Sequence, residues 1–384
     1  MGSPIFDRVV DRTGTGSEKW ERFAGRDVLP MWVADTDFET APVVVEALER
    51  RARHGVFGYT VPDQSARDAV VAHCAARYNW KIDPGWILFF TGVNKITAAA
   101  VRALTEPGDS ILVCTPVYPP LHLAPAGAGR KLVAVPLLRD AEYRYTIDFD
   151  ALDREAATAR MLILCSPHNP VGRVWSPEEL QRVAEIANRH NLLVLSDEIF
   201  ADLTLDGRAH TPFTTVAGVD SRRVVTGMSA SKTFNLAGLG CAFAIIPDAD
   251  AKRRMKSMLR TVTAPDLNAF AYVGMQAALN HGEPWRRDLV AYLAANRDAL
   301  AAALTRDVPE VRMTAVEATF LAWLDVTALG LEDPHAFFVN AGIGLSDGRD
   351  FLGPGHVRLN FGCPRVTLDE GIRRFTAAVR SLRV

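Results

Sequence analysis

The sequence has no run of about 18 consecutive apolar residues, so no segment is expected to cross a membrane as a helix. It has no block of five or more like charges and a net charge of −2. Nucleic acid and anionic membrane are therefore not expected partners. The five cysteines include no C-x-x-C pair, and Cys114, Cys165 and Cys241 lie in apolar runs. Small buried thiols are the natural reading, and a reducing compartment fits. The opening MGSPIFDRVVDRTGTG lacks an apolar core of signal-peptide length, so a cytoplasmic protein is expected. Tandem repeats, low-complexity segments and long linkers are missing, and no metal site is expected. No G-x-G-x-x-G follows the first strand and no G-x-x-x-x-G-K-[ST] occurs, which excludes the dinucleotide-binding and P-loop readings.

What the chain does have is a rhythm. Short apolar runs recur at 86–91, 110–115, 131–136, 161–166, 192–196, 223–228 and 241–246. They read as strands buried on both faces. Between them lie helical patterns such as NKITAAAVRALTEPGD, ended by Pro107-Gly108, and SPEELQRVAEIANRHN. The latter opens with Ser176 as N-cap, Pro177 at the first helical position and Glu179 three residues on, a capping box. This alternation predicts an α/β fold with a mostly parallel seven-stranded sheet between helices. From about Pro284 the pattern changes to a long helix, two strands and a closing helix. With 384 residues, two lobes are expected: an N-terminal arm (1–48), a large domain (49–284) and a smaller α+β domain (285–384).

In such sheets ligands lie beyond the carboxyl ends of the strands. Four segments place chemistry there. FFTGVNKIT sets Gly92 before a helix start, so the amides of Val93, Asn94 and Lys95 form a phosphate seat or merely a turn. CSPHNPVG holds His168 and Asn169 between prolines. VLSDEIFADL ends an apolar strand on Asp197, a costly carboxylate unless paired, with a cap for a following helix as the plainer alternative. GMSASKTFNLAGLG places Lys232 among Ser229, Ser231 and Thr233. An amine, a buried acid, an amide and an anion seat together are what pyridoxal phosphate requires.

The order Asn169, Asp197, Lys232, Arg358 resembles the fold-type I pyridoxal-phosphate enzymes of the aminotransferase class I/II group. The stretches KWERFAGRDVLPMWVADTDF, HGVFGYTVPD, SPHNPVGRVWSPEEL, LSDEIFADL, SKTFNLAGL and VRLNFGCPR are similar to its MalY/PatB branch, the cystathionine β-lyase-like C–S lyases. The resemblance runs from about residue 6 to the C-terminus. It implies that Lys232, Tyr118 and Asp197 are catalytic: the lysine holds the cofactor and shuttles the α-proton, the acid pairs with the pyridinium nitrogen, and Tyr118 stacks on the ring. Asn169 would bond the ring oxygen. Val93, Asn94, Ser229 and Ser231 would hold the phosphate, joined by Tyr59 from the second subunit of a homodimer. Arg358 would grip the substrate carboxylate, with Trp32, Phe200 and Asn169 beside it and Asp35 near the entrance.

The sequence also departs from this pattern. The transaminases carry an arginine eight residues after the lysine, and Gly240 stands there, which favours the lyase branch. The family's ADMDF and SDEIH read ADTDF and SDEIF, with Thr36 and Phe200, and the stretch LSDGRDFLGPG is unusual. Elimination of a thiolate from an S-substituted cysteine is the expected reaction. Transamination, decarboxylation with oxidation or deamination, and a regulatory partner-binding role with vestigial activity stay open.

Overall fold

The computed structural model describes residues 4–261 and 267–383. Seven strands form the main sheet: β1 (Ile87–Phe90), β2 (Ser110–Thr115), β3 (Lys131–Pro136), β4 (Ala159–Cys165), β5 (Leu193–Asp197), β6 (Val224–Met228) and β7 (Ala242–Ile245). Their spatial order is β1-β7-β6-β5-β4-β2-β3, with β7 antiparallel to both neighbours and the other pairs parallel. The six remaining strands therefore point the same way and bring their carboxyl ends to one edge.

Alternation within the strands explains the two layers. Ile111 and Val113 of β2 pack on one face with Ile96, Ala100 and Val101 of helix α1 (Val93–Leu104). Leu112 and Cys114 point to the other face, toward Leu180, Val183 and Ala187 of α2 (Pro177–Arg189). Both faces are buried, hence the unbroken apolar runs. One expectation is corrected: β3 is largely open rather than buried on both faces, because it is the outermost strand and lacks a neighbour on one side. The capping box forms as read, with the Glu179 amide 3.1 Å from Ser176 Oγ and the Ser176 amide 2.8 Å from Glu179 Oε2.

A second sheet follows helix α3 (Glu283–Asp307). Strands β8 (Arg312–Met313), β9 (Leu321–Asp325), β10 (Ser346–Asp347) and β11 (His356–Asn360) are antiparallel in the order β8-β9-β11-β10. Helix α4 (Arg365–Ser381) closes the chain. The segment 31–38 runs beside β11, where the Asn360 amide donates to the Met31 carbonyl at 2.9 Å. It joins a core shared by Phe38, Trp285, Leu289, Phe320, Leu359 and Phe375. No helix among the described residues is long and apolar enough to cross a membrane.

Candidate active site

The carboxyl edge of the main sheet gathers the polar segments. Beyond β1, Gly92 precedes α1, and the amides of Val93 and Asn94 have no acceptor within the helix. The Lys95 amide instead donates to the Gly92 carbonyl at 3.0 Å, so the anion seat is narrower by one donor than the sequence implied. Gly227 in β6 lets α1 approach, since a Cβ there would come within 3.1 Å of the Val93 side chain. Past β6, Ser229 Oγ lies 2.6 Å from the Cys241 carbonyl and 2.8 Å from Ser231 Oγ, and it accepts the Ser231 amide at 3.0 Å. This compact turn delivers Lys232, whose Nζ donates to the Ala34 carbonyl at 2.6 Å.

The loops after β2 and β4 are tied together. The Tyr118 amide donates to the Asn169 carbonyl at 3.0 Å, and His168 Nε2 bonds the Pro116 carbonyl at 2.8 Å. Burial holds His168 down at about 4, so it is neutral and acts as donor there. Asn169 Oδ1 accepts from Arg358 Nη1 at 3.0 Å, which joins the large sheet to β11. Arg358 Nη2 donates to the Trp32 carbonyl at 3.0 Å and to Ser346 Oγ at 3.1 Å, Ser346 being its register partner on β10. Its guanidinium carbon lies 4.5 Å from the centre of the Phe351 ring.

The electrostatics of the site are incomplete in a specific way. Asp197 is 4% exposed, accepts the Ile199 amide at 3.2 Å and has no ion-pair cation among the described residues. Burial pushes its carboxyl up to about 7, with the Glu198 charge adding to the rise and Lys232 opposing it. Arg358 is likewise 4% exposed, has no carboxylate partner among the described residues, and leaves Nε unbonded. Burial lowers it to about 10. Lys232 is lowered to about 8, first by burial and further by Arg358, against the opposing charges of Asp35, Asp197 and Glu18. A buried acid and a buried cation, each without an ion-pair partner among the described residues, suit a ligand that offers a positive ring nitrogen and a carboxylate. The donor set thus fits pyridoxal phosphate with an amino acid.

Several expected residues lie differently. Phe200 is in the core, 2% exposed and edge-on to Phe320 with ring centres 5.8 Å apart. Its apolar ring packs in the cluster that holds Ala230, Phe234 and Phe320, three residues beyond Asp197. The Trp32 indole turns away, its Nε1 donating to the Lys19 carbonyl at 3.1 Å and its ring lying under Arg22, so the residue meets Arg358 through its backbone. Tyr59 is fully exposed on the stretch that also exposes Phe57 and Val61. Residues 199–202 form a turn, not a helix, so Asp197 caps none. Ser346, Phe351, Asn235, Asn360 and the Ala34 carbonyl were missed. Asn360 had a readable signal, a polar residue two positions from Arg358 in the strand HVRLN and so on the same face.

A mostly parallel seven-stranded sheet with a lysine loop at its carboxyl edge is the fold of the type I pyridoxal-phosphate enzymes, and residues 26–375 match the family described as aminotransferase class I and II. The chain belongs to that family. It is 40% identical over 385 residues to cystathionine beta-lyase PatB of Bacillus subtilis, covering 97% of this chain and 99% of that protein. The crystal structure of OvoB superposes with a TM-score of 0.94 at 42% identity, over 98% of this chain and 99% of that one. The PLP-bound C-S lyase from Staphylococcus hominis superposes with a TM-score of 0.91 at 31% identity, over 97% of each chain.

Proposed function

We propose that the chain is a pyridoxal-phosphate-dependent carbon–sulfur β-lyase that cleaves an S-substituted cysteine to a thiol, pyruvate and ammonia. The observation that carries this reading is the pair of buried, ion-unpaired groups, the Asp197 carboxyl and the Arg358 guanidinium, whose charges both act on a lysine whose amine is lowered to about 8. The naming of similar chains as cystathionine β-lyase and C–S lyase supports the same class. Bound at this site, pyridoxal phosphate supplies an electron sink that makes the α-proton of the amino acid acidic and lets a thiolate leave from Cβ.

The chain's residues divide the remaining work. Arg358 holds the carboxylate by its planar fork, and its remaining donors are kept in place by Asn169, Trp32 and Ser346. Lys232 would hold the cofactor and would take the α-proton; in the cofactor-free chain, with a pKa of about 8, roughly a tenth of its amine is neutral near pH 7. Asp197 would pair with the ring nitrogen and keep it protonated, its carboxyl then ionised by that contact. Tyr118 would cover the ring face and Asn169 would bond its oxygen. The Val93 and Asn94 amides at the start of α1 receive the phosphate with Ser229 and Ser231.

Position 240 favours elimination over transamination. Gly240 has φ +65° and a Cβ there would come within 3.3 Å of the Thr91 carbonyl, so an arginine at this position would be strained and crowded. The reading includes a cytoplasmic homodimer in which Tyr59 of each chain reaches the phosphate of the other, and the division into residues 1–48, 49–284 and 285–384. The test is pyruvate release from a cysteine thioether such as cystathionine, with and without an added keto acid. Catalytic pyruvate formation without the keto acid is expected; consumption of the thioether only when the keto acid is present, giving the thioether 2-oxo acid and no free thiol, would make the enzyme an aminotransferase.

A further inference from the structure

The stretch that receives the lysine amine is fastened from both sides. From the lysine's own loop, Asn235 accepts the Thr36 amide at 3.2 Å and donates to the Thr36 and Phe38 carbonyls at 2.9 and 3.0 Å. From β11, Asn360 Nδ2 donates to the carbonyls of Val33 and Asp35 at 2.7 and 2.6 Å, the two residues flanking Ala34. Asn360 Oδ1 accepts the Gly362 amide at 2.8 Å, so its side chain is locked. On the outer side Arg12 reaches Asp35 and Asp37, each at 2.7 Å, and buried Lys19 reaches Asp37 at 2.6 Å. Asn360 stands two residues from Arg358 and so shares its face of the strand. One strand holds both the carboxylate fork and the segment on which Lys232 rests.

We propose that Asn360 is a positioning residue for Lys232: by fixing the carbonyls on either side of Ala34, it aims the Ala34 oxygen at the lysine amine. This rests on the reading of Lys232 as the base. One proton passes from the substrate Cα to Nζ, and the electron pair left on carbon goes to the electron sink. The Ala34 oxygen gains a hydrogen bond and no proton. A fixed carbonyl acceptor favours the ammonium form, since only donors suit it. Asp35 and Glu18 of the arm and Asp197 of β5 favour that form too, whereas burial and Arg358 of β11 oppose it. The geometry lets the lysine hold the abstracted proton in a buried place that otherwise disfavours charge.

Two substitutions test this from opposite sides of the arm. Asn360→Ala removes the donors on β11. Asn235→Gly removes the latch beside the lysine at a position with φ 54°, which glycine adopts freely. In the cofactor-free full-length chain, acetylation of Lys232 is followed against pH by mass spectrometry of its peptide. Its midpoint is expected to fall by about one unit in both variants. In the loaded enzyme kcat should fall about tenfold with KM for the amino acid within about twofold. An unmoved midpoint in folded Asn360→Ala and Asn235→Gly protein overturns the proposal. So does a raised KM at unchanged kcat, which would assign Asn360 to the carboxylate subsite. If Asn360→Ala does not fold, Asn235→Gly decides. The acetylation readout needs no turnover, so failure of the lyase reading does not mimic failure of this one.

Discussion

Asp197 carries the site's largest electrostatic debt at the scale of single residues. Its carboxyl is raised from 3.8 to about 7, chiefly by burial. The cofactor-free fold therefore keeps a proton that the unfolded chain releases, and the stability this lends at low pH is lost as pH rises through about 7. Asp197→Asn should stabilise the cofactor-free protein above about pH 8 by up to roughly 4 kcal/mol, the gain vanishing toward pH 4. Urea unfolding across that range checks it, and a gain independent of pH would mean the carboxylate is not the cause. Asp197 was legible because it ends an apolar run, where a polar group needs a reason, and Asn169 and Lys232 because they stand in turns just past such runs; Arg358 was legible only through the resemblance of VRLNFGCPR to a known family. The Ala34 carbonyl was not, since its bond to Lys232 spans 198 positions and a backbone oxygen leaves no mark on residue choice. Phe200 shows the same limit: its place in the chain adjoins the site, but the packing of its ring against Phe320 spans 120 positions and could not be read.

Among the elements, the start of α2 serves two purposes. Ser176 caps the helix, while Glu179 also takes Arg173 Nη2 on both carboxylate oxygens at 3.0 and 2.7 Å. Arg173 closes the loop containing Asn169, its Nε bonded to Glu317 at 3.0 Å and its carbonyl accepting the His168 amide at 2.8 Å. Ser176→Ala should lower stability by about 1 kcal/mol and leave kcat and KM unchanged. Glu179→Ala should cost more and also weaken cofactor retention, because it frees the buried Arg173 as well as the cap. Thermal unfolding and the visible absorbance retained after gel filtration separate the two. Equal loss of cofactor in both variants would mean that the cap itself, not Arg173, holds the loop. Strand positions and the capping box could be read from periodicity and short spacing. The order of strands and the reversal of β7 could not, because pairing is decided by contacts far apart in sequence.

At the scale of the whole molecule, the proposed dimer makes a demand that one chain does not meet. Tyr59 lies on an exposed stretch with Phe57 and Val61, a cluster of apolar side chains open to water. If Tyr59 completes the partner's phosphate site, Tyr59→Ala and Lys232→Ala proteins, each impaired, should complement on subunit exchange. Random mixing gives hybrids in half the dimers, each with one intact site, so about a quarter of wild-type activity should return. No recovery after demonstrated exchange would place Tyr59 outside the site. The two sheets and their order in the chain were legible from the change of pattern near Pro284. The way segment 31–38 bridges them was not, for Asn235 and Asn360 reach it across 199 and 327 positions.

The most direct test of the account is borohydride reduction of the cofactor-loaded enzyme, followed by digestion and mass spectrometry of the peptides. The pyridoxyl label should be found on Lys232, and the Lys232→Ala protein should retain none. A label on another lysine, or no label on a protein that still releases pyruvate from a cysteine thioether, would contradict it.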